Sequence, residues 1–270
     1  MNPNSIYMDH TKMISDKIST IEITFETLQP ANVTFIVGGE SLSISWGDGL
    51  HEEFINSHHV KINLLGEVEY TKPCCHGYKP GIYTIIITGT KITRFTVRDV
   101  KLKSIRFIDC DELGWINCIN CGLELIDLDV PSLLYLNCSC NALTMIDLSR
   151  CVNLIIIECI CNQLTQLDLN KCPKLHHVIC DYNSLEKINV LSEKLHHVSC
   201  CYNNMSVDEL EILFYYVTLF DSGGGDINYA LNPGSRRANT LLLERAHWEI
   251  KNIYTEKIHE RIIADLERKG

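Results

Sequence analysis

The sequence predicts a repeat protein of the α+β class, with a β-rich N-terminal module, a central solenoid of short parallel strands and a helical C-terminal region. Three observations predict it. Between residues 92 and 204 the chain repeats itself at a step of 20 or 21 residues. Before this stretch, apolar residues alternate in runs typical of strands, and after it a capped amphipathic pattern indicates helices. Repeats of this period indicate a solenoid, which favours a binding surface over a catalytic pocket.

The N-terminal module contains several strand-like runs separated by turn signals, at residues 21–25, 33–37, 42–46 and 82–89. Trp46-GDG predicts a turn, and His76-GYKPGIYTI follows later. These strings resemble the polycystic-kidney-disease-type, immunoglobulin-like β-sandwich, although the segment between Tyr78 and Gly81 is one residue shorter than in that family. The resemblance implies a sandwich that runs into the solenoid with almost no linker and docks rigidly against it.

Asp48 and the Cys74-Cys75-His76 cluster of this module invite interpretation as metal ligands. A metal site needs three or four ligands at set spacing, and no second cysteine pair accompanies these residues. A lone aspartate in a turn usually bonds its own backbone. We therefore interpret them as structural.

The central segments share the pattern L-x-x-[L/I/V]-x-C-x-x-[N/C]-x-L-x-x-[I/L]-[D/N]-[L/V]. A weaker segment begins at Ile92, and the others begin at Leu113, Leu133, Leu154, Leu175 and Leu195. The apolar positions alternate with polar ones, which is the period of a strand with one buried face. One repeat cannot bury its apolar side alone, so we expect equivalent strands to stack in a parallel sheet.

This pattern resembles the leucine-rich repeat, with cysteine in place of the third strand leucine, and covers residues 92–205. Asn141-ALTMIDLSRC and Asn162-QLTQLDLNKC are similar to strings in internalin-like and Bacteroidetes leucine-rich proteins. The resemblance implies a parallel sheet on the concave face. It also implies that asparagines at one repeat position bond buried backbone groups where each strand turns. The predicted ladder consists of Asn141, Asn162, Asn183 and Asn203.

Most of the 14 cysteines follow the repeat. One inward column consists of Cys118, Cys138, Cys159, Cys180 and Cys200. A second consists of Cys110, Cys151 and Cys172, with Val130 in the same register. Buried cysteine packs as a small apolar residue, so we expect free thiols that fill a narrow core.

After the repeats, Ser206 predicts a helix cap with Glu209, and a second helix is expected from Ser235 to about Ala246, followed by a short strand at Trp248. A last amphipathic helix is indicated by Tyr254, Ile258, Ile262 and Leu266. This region is interpreted as a cap on the solenoid, although the last helix could equally bind a partner. The predicted organisation is residues 1–17 as a tail, 18–91 as the sandwich, 92–205 as repeats and 206–270 as the C-terminal cap.

The net charge of −10 and the absence of a basic stripe argue against nucleic acid as a partner, and no apolar run reaches the length of a membrane span. The first residues lack the pattern of a secretory signal, which favours the cytoplasm, as do the many expected free thiols. An exported protein is the alternative if the sequence lacks its signal. We expect a monomer without a cofactor.

The side chains that point away from the core on the repeat strands predict where a protein or peptide partner binds. Trp115, Tyr135 and Ile156 would form an apolar patch there, and contiguous exposed apolar surface marks interaction sites. The full predicted binding set comprises Arg94, Trp115, Asn117, Ile119, Tyr135, Asn137, Ile156, Glu158, Ile160, His177, Ile179, Asp181 and His197.

Two other functions compete with binding. His177 and His197 would lie on adjacent strands, and with the surface thiols Cys140, Cys161 and Cys201 they could form a metal- or redox-active site. An enzyme is the other alternative, but no nucleophile elbow, phosphate loop or His-Glu-x-x-His motif is present. The sequence therefore favours a non-enzymatic interaction protein.

Overall fold

A computed structural model of the 270-residue chain describes residues 17–54, 73–220 and 224–251. This part of the chain is rich in strands and contains two helices. The predicted last helix and nearly all of the predicted tail lie outside the described residues.

Thirteen strands join in one large sheet. Its N-terminal strands are β1 (Ile18–Thr27), β2 (Ala31–Ser45), β3 (His51–Phe54), β4 (Cys74–Tyr78), β5 (Gly81–Arg98) and β6 (Leu102–Ile108). Its repeat strands are β7 (Trp115–Ile119), β8 (Tyr135–Asn137), β9 (Ile156–Glu158), β11 (His177–Ile179), β13 (His197–Ser199), β14 (Gly225–Asn228) and β15 (Trp248–Ile250). On the returning side of the repeats, a separate parallel pair is formed by β10 (Gln166–Asp168) and β12 (Lys187–Asn189).

From β5 to β15 every neighbouring pair of repeat strands is parallel, as the repeat pattern predicted. Equivalent residues of successive repeats face each other, so each inward position becomes a continuous buried column. Leu136 pairs with Ile157, and Ile157 pairs with Val178, and all three side chains are buried. This strand-rich architecture with a long parallel sheet fits a leucine-rich-repeat-like fold.

Both predicted cysteine columns lie in the core, where the thiols of the first column are free and completely buried. Because the thiolate form is not solvated there, burial raises the pKa of these thiols well above its usual range.

The predicted asparagine ladder is present and joins each repeat to the one before it. In Asn162, Oδ1 accepts the Leu143 N–H at 3.0 Å, and Nδ2 donates to the carbonyls of Cys138 at 3.0 Å and Cys159 at 3.2 Å. Asn141, Asn183 and Asn203 make the same set of bonds with their own neighbours.

The parallel sheet continues beyond residue 205, where the sequence was expected to leave the repeats. Asn232 extends the ladder: its Oδ1 accepts the Met205 N–H at 3.0 Å and its Nδ2 donates to the Cys200 carbonyl at 2.9 Å. The step from Asn203 to Asn232 is longer than the others because helix α1 (Val207–Thr218) occupies the returning side of this repeat.

Helix α1 begins after Ser206, as predicted, and the Ser206 hydroxyl accepts the Glu209 N–H at 3.2 Å. Helix α2 (Leu241–Arg245) is shorter than predicted, since residues 233–237 form turns instead. These turns lie close to the start of α1. A Cβ added at Gly234 would lie 2.4 Å from the Ser206 carbonyl carbon, so only glycine fits this close approach. The predicted short strand at Trp248 is β15. Within the described ranges, neither helix has the length and apolar character to cross a membrane.

The predicted boundary between residues 91 and 92 lies inside β5. Residues 81–90 of this strand pair with β1, and residues 94–98 pair with the first repeat strand, β7. The N-terminal strands and the repeats therefore share one strand without a linker, as the sequence indicated. The immunoglobulin-like sandwich itself stays a prediction.

Candidate binding surface

The side chains that alternate with core positions along the repeat strands form what we call the outer sheet face. On β5, Phe95 and Val97 are buried in the core, so Arg94, Thr96 and Arg98 belong to the outer sheet face. The strand register aligns such residues in rows. The first row is Arg94, Trp115, Tyr135, Ile156, His177, His197 and Asp226, and the second is Thr96, Asn117, Asn137, Glu158, Ile179, Ser199 and Asn228.

The structure thus brings the predicted binding residues of these rows together in the predicted order. Ile119, Ile160 and Asp181 each lie two residues after the second-row residue of their own segment. Asp226 and Asn228 are additions that the sequence analysis did not find. The sequence contains a pattern that could have identified this further repeat, since Ile227-NYALN has the same spacing as Val198-SCCYN.

The apolar part of the first row is half-buried rather than broadly exposed, because its side chains pack on one another. The rings of Trp115 and Tyr135 are stacked, with centroids 3.7 Å apart and planes at 15°. The Arg94 guanidinium carbon lies 4.6 Å from the centre of the Trp115 ring on β7. Asn117 and Asn137, expected at the surface, are buried.

Four residues at the β5–β7 end of this face, which we call the unpaired cluster, contain buried polar atoms that have no hydrogen-bond partner in the part of the chain that the structure describes. The atoms are Nε and Nη1 of Arg94, Oγ1 of Thr96, Nε1 of Trp115 and Oδ1 of Asn117. Arg94 pairs in register with Trp115, and Thr96 with Asn117, so the four side chains are immediate neighbours. Among the described residues, the single other atom of this kind is Trp46 Nε1. Unpartnered buried groups are rare in folded proteins, so four adjacent residues that contain such groups are the strongest candidates on this face for contact with a ligand.

The next part of the face is fully paired. The Tyr135 hydroxyl donates to Glu158 Oε1 at 3.0 Å, and Asn137 Nδ2 donates to Glu158 Oε2 at 2.7 Å. Burial raises the pKa of Glu158, while the bond from Tyr135 opposes this rise. Glu158 is the first carboxylate that follows the unpaired cluster in the two rows, and it is therefore already bonded within the chain.

The far end of the face is also paired. His197 Nδ1 lies 2.9 Å from both carboxylate oxygens of Asp226, which Lys251 also contacts at 3.2 Å. Ser199 Oγ donates to Asp181 at 2.8 Å. These carboxylates are satisfied within the chain.

The structure does not assemble the alternative metal site. No group of three or more histidine, cysteine, aspartate or glutamate side chains in the described ranges is placed to hold a metal ion. Cys201, expected at the surface, is 8 % exposed, and burial raises its pKa to about 12. The hydrogen bond between Cys161 and Cys140, together with burial, raises the pKa of Cys161. Raised pKa values disfavour the reactive thiolate.

Asp48 takes the structural role expected of it. Its Oδ1 accepts the Leu50 N–H at 3.1 Å in the predicted turn, and its Oδ2 lies 2.7 Å from His76 Nε2. His76 in turn stacks on the buried Trp46 ring, with centroids 4.8 Å apart. The hydrogen bond from His76 lowers the pKa of Asp48. This arrangement fixes the turn against β4.

No protein-family model matches the sequence, and no curated protein matches it significantly. Among solved structures, the chain is similar to the functional domain of InlJ from Listeria monocytogenes, described as including a cysteine ladder: 21% identity over 50% of this chain, TM-score 0.38. It is also similar to TLR13 in its complex with ssRNA13, at 18% identity over 45% of this chain and TM-score 0.37. Both are leucine-rich-repeat proteins. This chain covers 34% of the first and 18% of the second. Since both TM-scores are low, the description of the fold rests on the chain's own strand pairing.

Proposed function

We propose that this chain is a non-enzymatic interaction module that binds a protein or peptide partner on the outer sheet face. The unpaired cluster is the observation that supports this most. Burying a polar group without a partner costs roughly 1–3 kcal/mol in proteins, so a chain that keeps several such groups together on one face gains when a ligand pairs with them.

The composition of the face favours a polypeptide over nucleic acid. Besides the unpaired cluster, it offers half-buried apolar side chains, namely Ile119, Ile156, Ile160 and Ile179. Backbone groups of an extended peptide could pair with the polar atoms while its side chains contact the apolar ones. TLR13 was solved with an RNA, but the net charge of −10 here disfavours a polyphosphate partner.

The test is affinity capture from a lysate of the source organism with the wild type and with a Trp115→Ala, Tyr135→Ala, Ile156→Ala triple variant. A Leu125→Ala, Met145→Ala, Val152→Ala triple variant is the matched control, since these apolar residues are exposed outside the outer sheet face. We expect one protein to be retained by the wild type and the control and lost from the first variant. Equal retention by all three folded proteins would place the binding surface elsewhere.

A further inference from the structure

We propose that the unpaired cluster binds the free carboxyl terminus of an extended polypeptide partner, held by Arg94 and flanked by Thr96, Trp115 and Asn117. This inference rests on the proposed function and specifies the chemistry of the partner. It follows from the charge, the burial and the hydrogen-bonding capacity of these four side chains.

Within residues 17–54, 73–220 and 224–251, the charge of Arg94 has no counter-ion. The residue is 7 % exposed, and neither Nε nor Nη1 finds an acceptor in these ranges. The Trp115 ring stabilises the guanidinium partly, since a cation over an aromatic face contributes about 0.5–2 kcal/mol. Removing a charge from water costs several kcal/mol, which this contact alone does not offset. Arg98, on the same face, adds positive charge rather than compensating it. An anionic group completes this site.

The atoms around Arg94 distinguish between anions. The indole Nε1 of Trp115 can only donate, the Thr96 hydroxyl can donate or accept, and Asn117 Oδ1 needs a donor. The last residue of a peptide offers both kinds of group within a few bonds, namely two carboxylate oxygens and its own backbone N–H. In an aspartate or glutamate side chain the carboxylate is further from a backbone N–H along the chain. A terminal carboxylate therefore matches the four side chains better.

The burial and the register of Thr96 and Asn117 also support a binding site around Arg94. They are 8 % and 4 % exposed, pair with each other in register and lie directly beside the Arg94–Trp115 pair. In the following two strands the equivalent positions, Asn137 and Glu158, bond to each other. Among the described residues, this face thus pairs its polar groups within the chain at Asn137 and Glu158 and leaves buried polar atoms unpaired at the unpaired cluster.

The experiment uses the indole N–H resonances of the full chain, which contains three tryptophans, of which Trp46 and Trp248 are buried and serve as internal references. The Trp115 resonance is identified with Trp115→Phe. The probe is acetyl-tetra-alanine with a free carboxyl terminus, compared with the same peptide as its C-terminal amide, with propionate and with inorganic phosphate. We expect a saturable shift of the Trp115 resonance with the free peptide and at least tenfold weaker binding of the amide. Tighter binding of propionate or phosphate than of the peptide would overturn the assignment to a chain terminus.

Arg94→Met separates a binding role from a structural one. Because the variant removes an uncompensated buried charge, we expect it to raise the unfolding temperature of the unliganded protein. We expect the same variant to bind the free peptide at least tenfold more weakly than the wild type does. Arg94→Lys keeps the charge without the planar fork and should bind with intermediate affinity. The control is Arg106→Met, an exposed arginine that contacts Glu22 at 3.4 Å outside this face; it should bind as the wild type does. A lower unfolding temperature with unchanged peptide binding in Arg94→Met would refute the proposal.

The two proposals can fail separately. Peptide binding that depends on Arg94, without any captured protein that depends on the outer sheet face, would leave the carboxylate site standing and remove the proposed function. A captured partner that the Arg94→Met variant still retains would support the proposed function and remove the carboxylate site.

Discussion

Asn162 shows, at the scale of one residue, how a single amide holds two repeats together. Its side chain accepts one backbone N–H and donates to carbonyls on both sides of the repeat junction. These backbone groups lie where the strand turns and cannot pair with a neighbouring strand. The asparagine replaces hydrogen bonds that the solenoid geometry would otherwise leave unmade.

Asn162→Ala should lower the free energy of unfolding by roughly 1–3 kcal/mol, because it leaves the Leu143 N–H without an acceptor, while the Cys138 carbonyl keeps its bond from Asn141. Asn170→Ala is the control, since Asn170 is exposed; it should change stability by less than about 0.5 kcal/mol. Urea unfolding measures both. Equal losses in the two variants would contradict the role of the ladder.

Strands β11 and β13 place four histidines together, a feature that belongs to the scale of elements. His177 pairs with His197 in register, and the His177 ring lies 4.7 Å from that of His196 and 5.4 Å from that of His197. His176 lies 5.3 Å from His196. Burial and the neighbouring histidines lower the pKa of His177, while Asp226 opposes this change. Burial, His196 and Lys194 lower the pKa of His176.

These lowered pKa values predict that acid destabilises this pair of strands. A histidine with a lower pKa in the folded than in the unfolded chain has no effect at high pH, where both states are neutral. As the pH falls below about 6.5, the unfolded state takes up the proton first and stability declines. The unfolding temperature of the wild type should therefore fall more between pH 7.5 and 5.5 than that of a His176→Gln, His177→Gln variant.

The exposed His51 provides the control, because His51→Gln removes a histidine outside the cluster. This variant should keep the pH dependence of the wild type. If the double variant and the wild type lose the same number of degrees, the histidine cluster does not govern acid stability.

The cysteine core belongs to the scale of the whole molecule, because only the complete stack of repeats buries it. Eleven of the 14 cysteines are buried, whereas Cys75 is exposed and Cys140 and Cys161 are partly accessible. Ten of the buried thiols belong to the repeat region, residues 92–205, whereas Cys74 lies in β4. Resistance of the buried repeat thiols to chemical labelling therefore shows whether the stack of repeats is intact.

Labelling of the native protein with a maleimide, followed by mass spectrometry of the digest, should modify Cys75 first and Cys140 and Cys161 more slowly. The eleven buried thiols should react only after denaturation, because the maleimide needs both access and thiolate, and burial withholds both. Labelling of Cys159 or Cys180 at the rate of Cys75 in the folded protein would show that the stack is open.

The sequence by itself determined the repeat, the direction of its side chains and the identity of the ladder. These features are periodic: alternation along a strand fixes which residues are inward, and equal spacing fixes which residues stack. The rows that contain Trp115, Tyr135 and His177 could therefore be written down from spacing alone. The repeat at Asn232 was missed because α1 lengthens the step, although the local pattern around Ile227 was intact.

Only the tertiary structure decided which of the outward residues have hydrogen-bond partners within the chain. Arg94 and Glu158 both have outward positions in the sequence, yet Glu158 accepts hydrogen bonds from Tyr135 and Asn137, while Nε and Nη1 of Arg94 have no acceptor among the described residues. Likewise, the half-burial of Trp115 comes from its stacking on Tyr135. Pairing and burial depend on side chains contributed by other strands, across distances that periodicity along one strand does not encode, so the unpaired cluster became visible only in the folded chain.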